Sequence, residues 1–372
     1  MREMAVTLHT FPLLLYIVRS LAGMRGATAL LMLMGLGGCA QPSVTLHEFH
    51  LDERICYYAR KVADHPRLYP AHALLGAAYL DKARDTPDPV WLAKARTALN
   101  RSMDIQPSFQ AFKTMTAVSN FAHRFEDALK WGKRAAKAYP ADTEVTALLV
   151  EAHMGLGQYE EARKLLPHSG KTPDDFYTAA ALGNWLVSQR RHDEAASSFQ
   201  IASTLAQAAG VQELVVWAEV STAGVFIDSH RLEPARLHME RAGALDARNV
   251  RLRLHQAELL GAEGNHMDAL AIHEALLKER NDPEIHRKAF VLARQLGQRS
   301  KAQLHFDAAE EGFQRAIDAS EIYTLGALAQ LYCDAEVKLQ QALALAERNL
   351  QYKRDLEAQE TVACIRRKRP RP

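Results

Sequence analysis

Four cysteines and one histidine pair are the residues of this 372-residue chain whose chemistry could go beyond packing. His47-Glu48-Phe49-His50 sets two imidazoles three positions apart. A metalloprotease helix sets them four apart with a glutamate beside them, so that both nitrogens face one metal, and it needs a third ligand. Here the spacing differs and no third ligand is evident, so a surface histidine pair is expected. Cys39, Cys56, Cys333 and Cys364 form no CxxC pair and no metal-ligand spacing. Cys56 and Cys333 read as small core residues on helices, the common fate of an isolated cysteine. Cys333 and Cys364 are the pair near enough in sequence to bridge in an oxidising compartment. The sequence contains no glycine-rich phosphate loop and no GxSxG elbow. The expectation is a protein with no catalysis of its own and no cofactor.

Cys39 differs from the other three in what precedes it. Gly26 to Gly38 reads GATALLMLMGLGG, thirteen residues without a charge, after Met24 and Arg25. A bilayer-spanning helix needs roughly 18 or more apolar residues. A positive start, a short apolar middle and small residues before a cleavage point instead make a secretory signal. Leu36-Gly37-Gly38-Cys39 resembles the lipobox of bacterial lipoproteins. The resemblance implies removal of residues 1–38, a diacylglycerol on the Cys39 sulfur and an acyl chain on its new amino group. Several chains on one residue anchor stably, since each buried CH2 contributes about 0.8 kcal/mol. Ala40 stands where an aspartate would retain such a protein in the inner membrane, which implies the outer membrane, facing the periplasm. Two alternatives stay open: a true start at Met24, with residues 1–23 misassigned, or one uncleaved anchor from Phe11 to Gly38. Arg19 and Arg25 interrupt that anchor, and each is costly near a bilayer centre.

Without residues 1–38, which carry three arginines and Glu3, 43 basic residues face 43 acidic ones. A neutral chain lacks the clustered Lys and Arg that displace counterions from nucleic acid, so no nucleic-acid partner is expected.

The elements that carry these residues follow from an internal period. Around HRFEDALKWGKRAAKAYP and again around GLGQYEEARKLL an alanine follows an aromatic at close spacing. This marker recurs at Ala95, Ala128, Ala162, Ala195, Ala235, Ala269, Ala302 and Ala342, with separations of 33, 34, 33, 40, 34, 33 and 40. The pattern resembles the tetratricopeptide repeat, a helix-turn-helix unit of about 34 residues. Seven residues beyond the marker stand Ala135, Ala202, Ala242 and Ala309, with Ser102 and Ser169 acceptable and Leu276 and Asn349 not. Pro107 and Pro140 stand where a second helix should end. Gly157, Gly264 and Gly297 occupy the turn between paired helices. The expected fold is all-α: a right-handed superhelix, or α-solenoid, of about eight units over residues 67–350. Pro167 should stop a second helix near Leu166, and Pro87 and Pro89 mark a loop between the helices of the first unit. Residues 39–66 read as the lipidated cysteine, a tether and a capping helix with Asp52 as N-cap. Residues 351–372 read as a ninth repeat that breaks off at Ile365 into a basic tail, as a frameshift or truncated gene would leave it; a genuine solvated basic tail, or one that touches anionic lipid, stays open.

The resemblance also implies a binding surface, a concave groove lined by the first helices. Counting back from the markers places Lys113, Asn120, Glu151, Asn184, Asp228, Glu258, Arg287 and Arg294 on it, acidic in the middle and basic toward the C-terminus. Taken without the resemblance, the same residues are a solvated helix face. The lysine and asparagine pair that grips a peptide's terminal carboxylate in some members is not reproduced, because Ala117 follows Lys113 where asparagine is wanted. The expected function is a membrane-anchored scaffold that binds other envelope proteins in assembly, secretion or export. The alternative is a non-catalytic or metal-binding subunit of an envelope enzyme complex.

Overall fold

The computed structural model describes residues 51–167 and 171–368. Cys39, His47, His50, Ser169 and the last four residues lie outside the described residues, as does everything expected of the signal and the lipid anchor.

Eighteen helices follow one another among the described residues. The first, α1 (Leu51–Asp64), packs on α2 and flanks a series of hairpins: α2 (Tyr69–Asp85) with α3 (Val90–Ile105), α4 (Phe109–Phe121) with α5 (Phe125–Ala138), α6 (Thr143–Gly155) with α7 (Tyr159–Leu165), and α8 (Phe176–Ser188) with α9 (His192–Ala209). Then come α10 (Gln212–Asp228) with α11 (Leu232–Leu245), α12 (Val250–Ala262) with α13 (His266–Glu279), α14 (Pro283–Gln295) with α15 (Arg299–Asp318), and α16 (Leu325–Ala335) with α17 (Leu339–Asn349). The last helix, α18 (Leu356–Lys368), begins a ninth unit and runs through Ile365, which is fully buried, rather than breaking there. Asp52 lies inside the first turn of α1 and pairs with Lys82 at 2.8 Å instead of capping the helix.

Each marker alanine sits on a second helix and is buried, seven of them with no exposed surface and Ala302 with 6%. A larger side chain there would force the paired helices apart, which is why the period shows in alanine. Most first helices start from a side-chain cap: Ser108 accepts from the Ala111 N–H, Asp142 from Val145, Asp175 from Thr178 and Asn249 from Leu252. Six of the eight second helices are entered through a left-handed residue five positions before the marker. Gly157, Gly264 and Gly297 take it as expected, but His123, Arg190 and His230 take it too, each at φ 56°. In all six turns the next N–H bonds back five residues, as Gln158 does to the His153 carbonyl at 2.8 Å, so the helix end is satisfied whichever residue bends the chain. α7 stops at Leu165, just ahead of Pro167. The two 40-residue separations are absorbed by long helices, α9 with 18 residues and α15 with 20.

Most successive first helices pack on one another, whereas successive second helices are spread apart, so the stack curves with the first helices inside. Hydrophobic clusters run on from unit to unit, as repeat stacking requires.

The curvature brings distant units together edge to edge. Arg96 of α3 meets Glu321, which is 1% exposed, at 2.5 Å. Arg124 donates to the Ser320 carbonyl at 3.2 Å, and the Tyr323 ring packs beside Phe121 and His123. One unit on, Arg354 donates its backbone N–H to Gly155 and its guanidinium to Glu126, and Leu356 donates its N–H to the Tyr159 hydroxyl. Arg190 then pairs with Glu360 on α18 at 3.1 Å. The turns inside the early hairpins thus rest on the loops between the late ones.

Candidate interaction face

All eight expected groove residues lie on first helices, and therefore on the inner side of the curve. Most of them are engaged with the protein itself. Lys113 on α4 reaches Glu144 at 2.6 Å and Asp142 at 3.4 Å, one unit ahead. Asn120 is buried and donates to the Leu148 carbonyl at 2.9 Å and to Glu151 at 3.1 Å. Glu258 is held by Lys288 at 2.5 Å and His255 at 2.7 Å. Arg287 bridges Glu284 and Asp334, and Arg294 donates to the Asp334 carbonyl while its guanidinium faces the Phe290 ring. These polar bonds tie α4 to α6, α12 to α14 and α14 to α16 along the inner face. Its basic C-terminal part is neutralised by its own acids rather than offered to a ligand.

The middle of the face is different. Asn184 on α8 and Asp228 on α10 are exposed, and Glu151 on α6 keeps contact with water although protein surrounds it on most sides. Burial pushes the Glu151 carboxyl up, with the Asn120 bond and the Arg84 charge opposing. Burial also raises Asp228, and the Glu258 charge adds to it. For Glu258 burial is outweighed by the bonds from His255 and Lys288, which hold it down at about 2. Glu151 and Asp228, whose carboxyls burial raises and to which no salt bridge is formed among the described residues, favour a cationic or hydrogen-bond-donating ligand.

Toward the C-terminus the inner face closes into a cavity of about 690 Å³, lined by Arg287, Gln330, Lys353, Glu357 and Cys364, with His123 supplied by the α4–α5 turn. Burial, then the Lys353 charge, lowers His123 to about 4, so it stands neutral in that wall.

Two clusters escaped the sequence reading because their members come from different helices. Ser203 and His238 both bond to Glu219, at 2.6 and 2.7 Å, all three buried. Nucleophile activation requires the histidine between the serine and the acid. Here the acid is central, so the serine proton points at a carboxylate and the group is a structural tie of α9, α10 and α11. His286 and His305 oppose their Nδ1 atoms at 3.0 Å, and Asn281 Oδ1 accepts from His286 Nε2. Among the described residues no group of three or more His, Cys, Asp or Glu is placed to hold a metal ion. Cys333 is in the core as expected, whereas Cys56 is only half-buried on α1.

Curved stacking of helical hairpins with small residues at their contacts defines an all-α solenoid. Residues 122–184, from the α4–α5 turn to the middle of α8, match the tetratricopeptide repeat family, and hairpins with the same marker continue on both sides. Among solved structures, a tetratricopeptide repeat protein from Parabacteroides merdae is similar at 14% identity, with 77% of this chain and 97% of that one covered and a TM-score of 0.36. Pseudomonas aeruginosa PilF is similar at 16% identity over 64% of this chain and 88% of that one, TM-score 0.34. A chain of the APC/C hetero-tetramer Cut9–Hcn1 is similar at 14% identity over 86% and 67%, TM-score 0.34. No curated protein matches the sequence.

Proposed function

We propose that this chain is a protein-binding scaffold whose partner engages the inner face of α6, α8 and α10, and that acylated Cys39 holds it at the periplasmic side of the outer membrane. In this reading it is an adaptor in envelope assembly, secretion or export and makes or breaks no bonds. The binding part rests on one observation: on an inner face where most of the expected groove residues are tied to neighbouring groups, Glu151 on α6, Asn184 on α8 and Asp228 on α10 face solvent. A basic or amide-rich peptide segment is the ligand chemistry that suits them. The anchoring part rests on Leu36-Gly37-Gly38-Cys39 behind its apolar run. Among the described residues no helix is long and apolar enough to cross a membrane.

The test is an affinity capture from detergent-solubilised membranes with wild type beside an Asp228→Lys, Asn184→Lys double variant, partners being identified by mass spectrometry. Partners lost with the variant at unchanged helicity support the inner face, and partners that persist move the site elsewhere. Metabolic labelling with a clickable fatty acid, compared with Cys39→Ser, tests the anchor separately.

A further inference from the structure

Cys333 on α16 and Cys364 on α18 place their sulfurs 2.6 Å apart. Unbonded sulfurs keep a wider separation, and a disulfide's lie at about 2.05 Å, so sub-ångström side-chain movement joins them. Cys333 has no exposed surface, whereas Cys364 is half-buried and lines the inner cavity, where a reagent reaches it. The surroundings tie the same two helices: the Thr361 hydroxyl donates to Gln330 Oε1 at 3.2 Å, and Lys368 Nζ donates to the Cys333 carbonyl at 3.0 Å.

We propose that Cys333 and Cys364 form a reversible intrachain disulfide by exchange with a glutathione-type or protein disulfide, and that this bond clamps α18 to α16 and thereby secures the edge contact with the early hairpins. The Cys364 thiolate attacks the donor disulfide, giving a mixed disulfide and releasing one thiol. Cys333 then loses its proton and attacks the Cys364 sulfur, expelling the second thiol. Two protein thiols are oxidised, the donor disulfide is reduced to two thiols, and no other oxidant is needed. The order follows from access and ionisation, because burial, with the Cys364 hydrogen bond adding, pushes the Cys333 thiol up to about 12. The structural consequence follows from position. α18 is the last described helix, its stacking contacts among the described helices are with α16 and α17, and elements with few packed neighbours open first. It carries the Leu356 and Glu360 contacts to Tyr159 and Arg190.

The test uses the full folded chain in oxidised and reduced glutathione mixtures, quenched in acid and mapped by mass spectrometry. The expected product joins tryptic peptides 316–338 and 355–366, lighter by two hydrogens, and reverts on reduction. Cys333→Ser should carry glutathione on Cys364 under native conditions, and Cys364→Ser should leave Cys333 unmodified. Amide exchange of Arg354 and Leu356 should slow by roughly tenfold on oxidation. A crosslink that forms only in denaturant, or never, overturns the proposal. A crosslink that leaves those amides exchanging at the same rate overturns the clamp.

Discussion

Arg354 donates its backbone N–H to the Gly155 carbonyl at 2.7 Å, while its own carbonyl lies 2.7 Å from where a Cβ on Gly157 would stand. Gly157 is therefore constrained twice, by its φ of 71° and by a neighbour from the far end of the chain. Gly264 and Gly297 share the left-handed conformation but have nothing within 4 Å of that point. Gly264→Ala and Gly297→Ala should each cost about 1 kcal/mol of unfolding free energy. Gly157→Ala should cost about 2 to 3 kcal/mol, because the edge must also give way. Urea unfolding of the three variants checks this, and equal losses would mean that the approach of Arg354 contributes nothing.

Glu321 is buried, and its carboxylate is bonded twice by Arg96, at 2.5 and 3.3 Å. Arg96→Ala leaves that charge without its partner and should cost about 3 kcal/mol. Replacing both, as Arg96→Ala with Glu321→Leu, should recover much of the loss, since the penalty is the stranded charge rather than the missing bond. A double variant no more stable than the single one would refute that account.

Acid should weaken the protein before its carboxylates titrate. Burial, with the Lys288 charge, lowers His273 to about 4, and burial, with the His305 charge, does the same to His286. Burial lowers His305 too, with Glu274 opposing. These side chains stay neutral in the fold but take a proton when unfolded, at about pH 6.5. The unfolded state then binds more protons, so stability should fall steadily from about pH 6.5 to about pH 4. Chemically, His286 accepts at Nδ1 from His305, and protonating it would set two N–H groups face to face. Glu258, held at about 2, adds its own loss only below the ordinary carboxylate range, and the raised Glu151 partly offsets the trend. Denaturation midpoints at pH 7, 6 and 5 check it. A flat profile there, or an unchanged slope in His305→Gln, would count against it.

The marker positions should tolerate no enlargement. Ala195→Leu adds volume where no surface is exposed and should cost about 1 to 3 kcal/mol. Leu237→Ala, two residues past the Ala235 marker but 55% exposed, should change stability by less than about 0.5 kcal/mol. Thermal melts of the pair give the comparison.

How far the sequence carried the reading depends on distance along the chain. Alanine markers, capping residues and prolines act within one unit, so the hairpins and the ends of α3, α5 and α7 were legible. Three of six interhelical turns were not, because His123, Arg190 and His230 adopt a conformation that only glycine announces. The period puts the eight expected groove residues on first helices, where they lie, but says nothing of their partners. Those partners lie almost one period away, as Lys113 with Glu144 and Glu258 with Lys288. Opposite charges at such spacings are visible in the sequence once the period is set. The edge contacts are not, since Arg96 and Glu321 are 225 residues apart and no local pattern encodes the curvature that joins them.

A helical-repeat stack held only by its neighbours extends under tension as a soft spring, one interface yielding at a time. In this chain the bonds of Arg96, Arg124, Arg190 and Arg354 span that spring like a catch. A pull on α1 relative to α18 loads the catch first, so the molecule resists stretching until those few polar contacts part and lengthens easily afterwards.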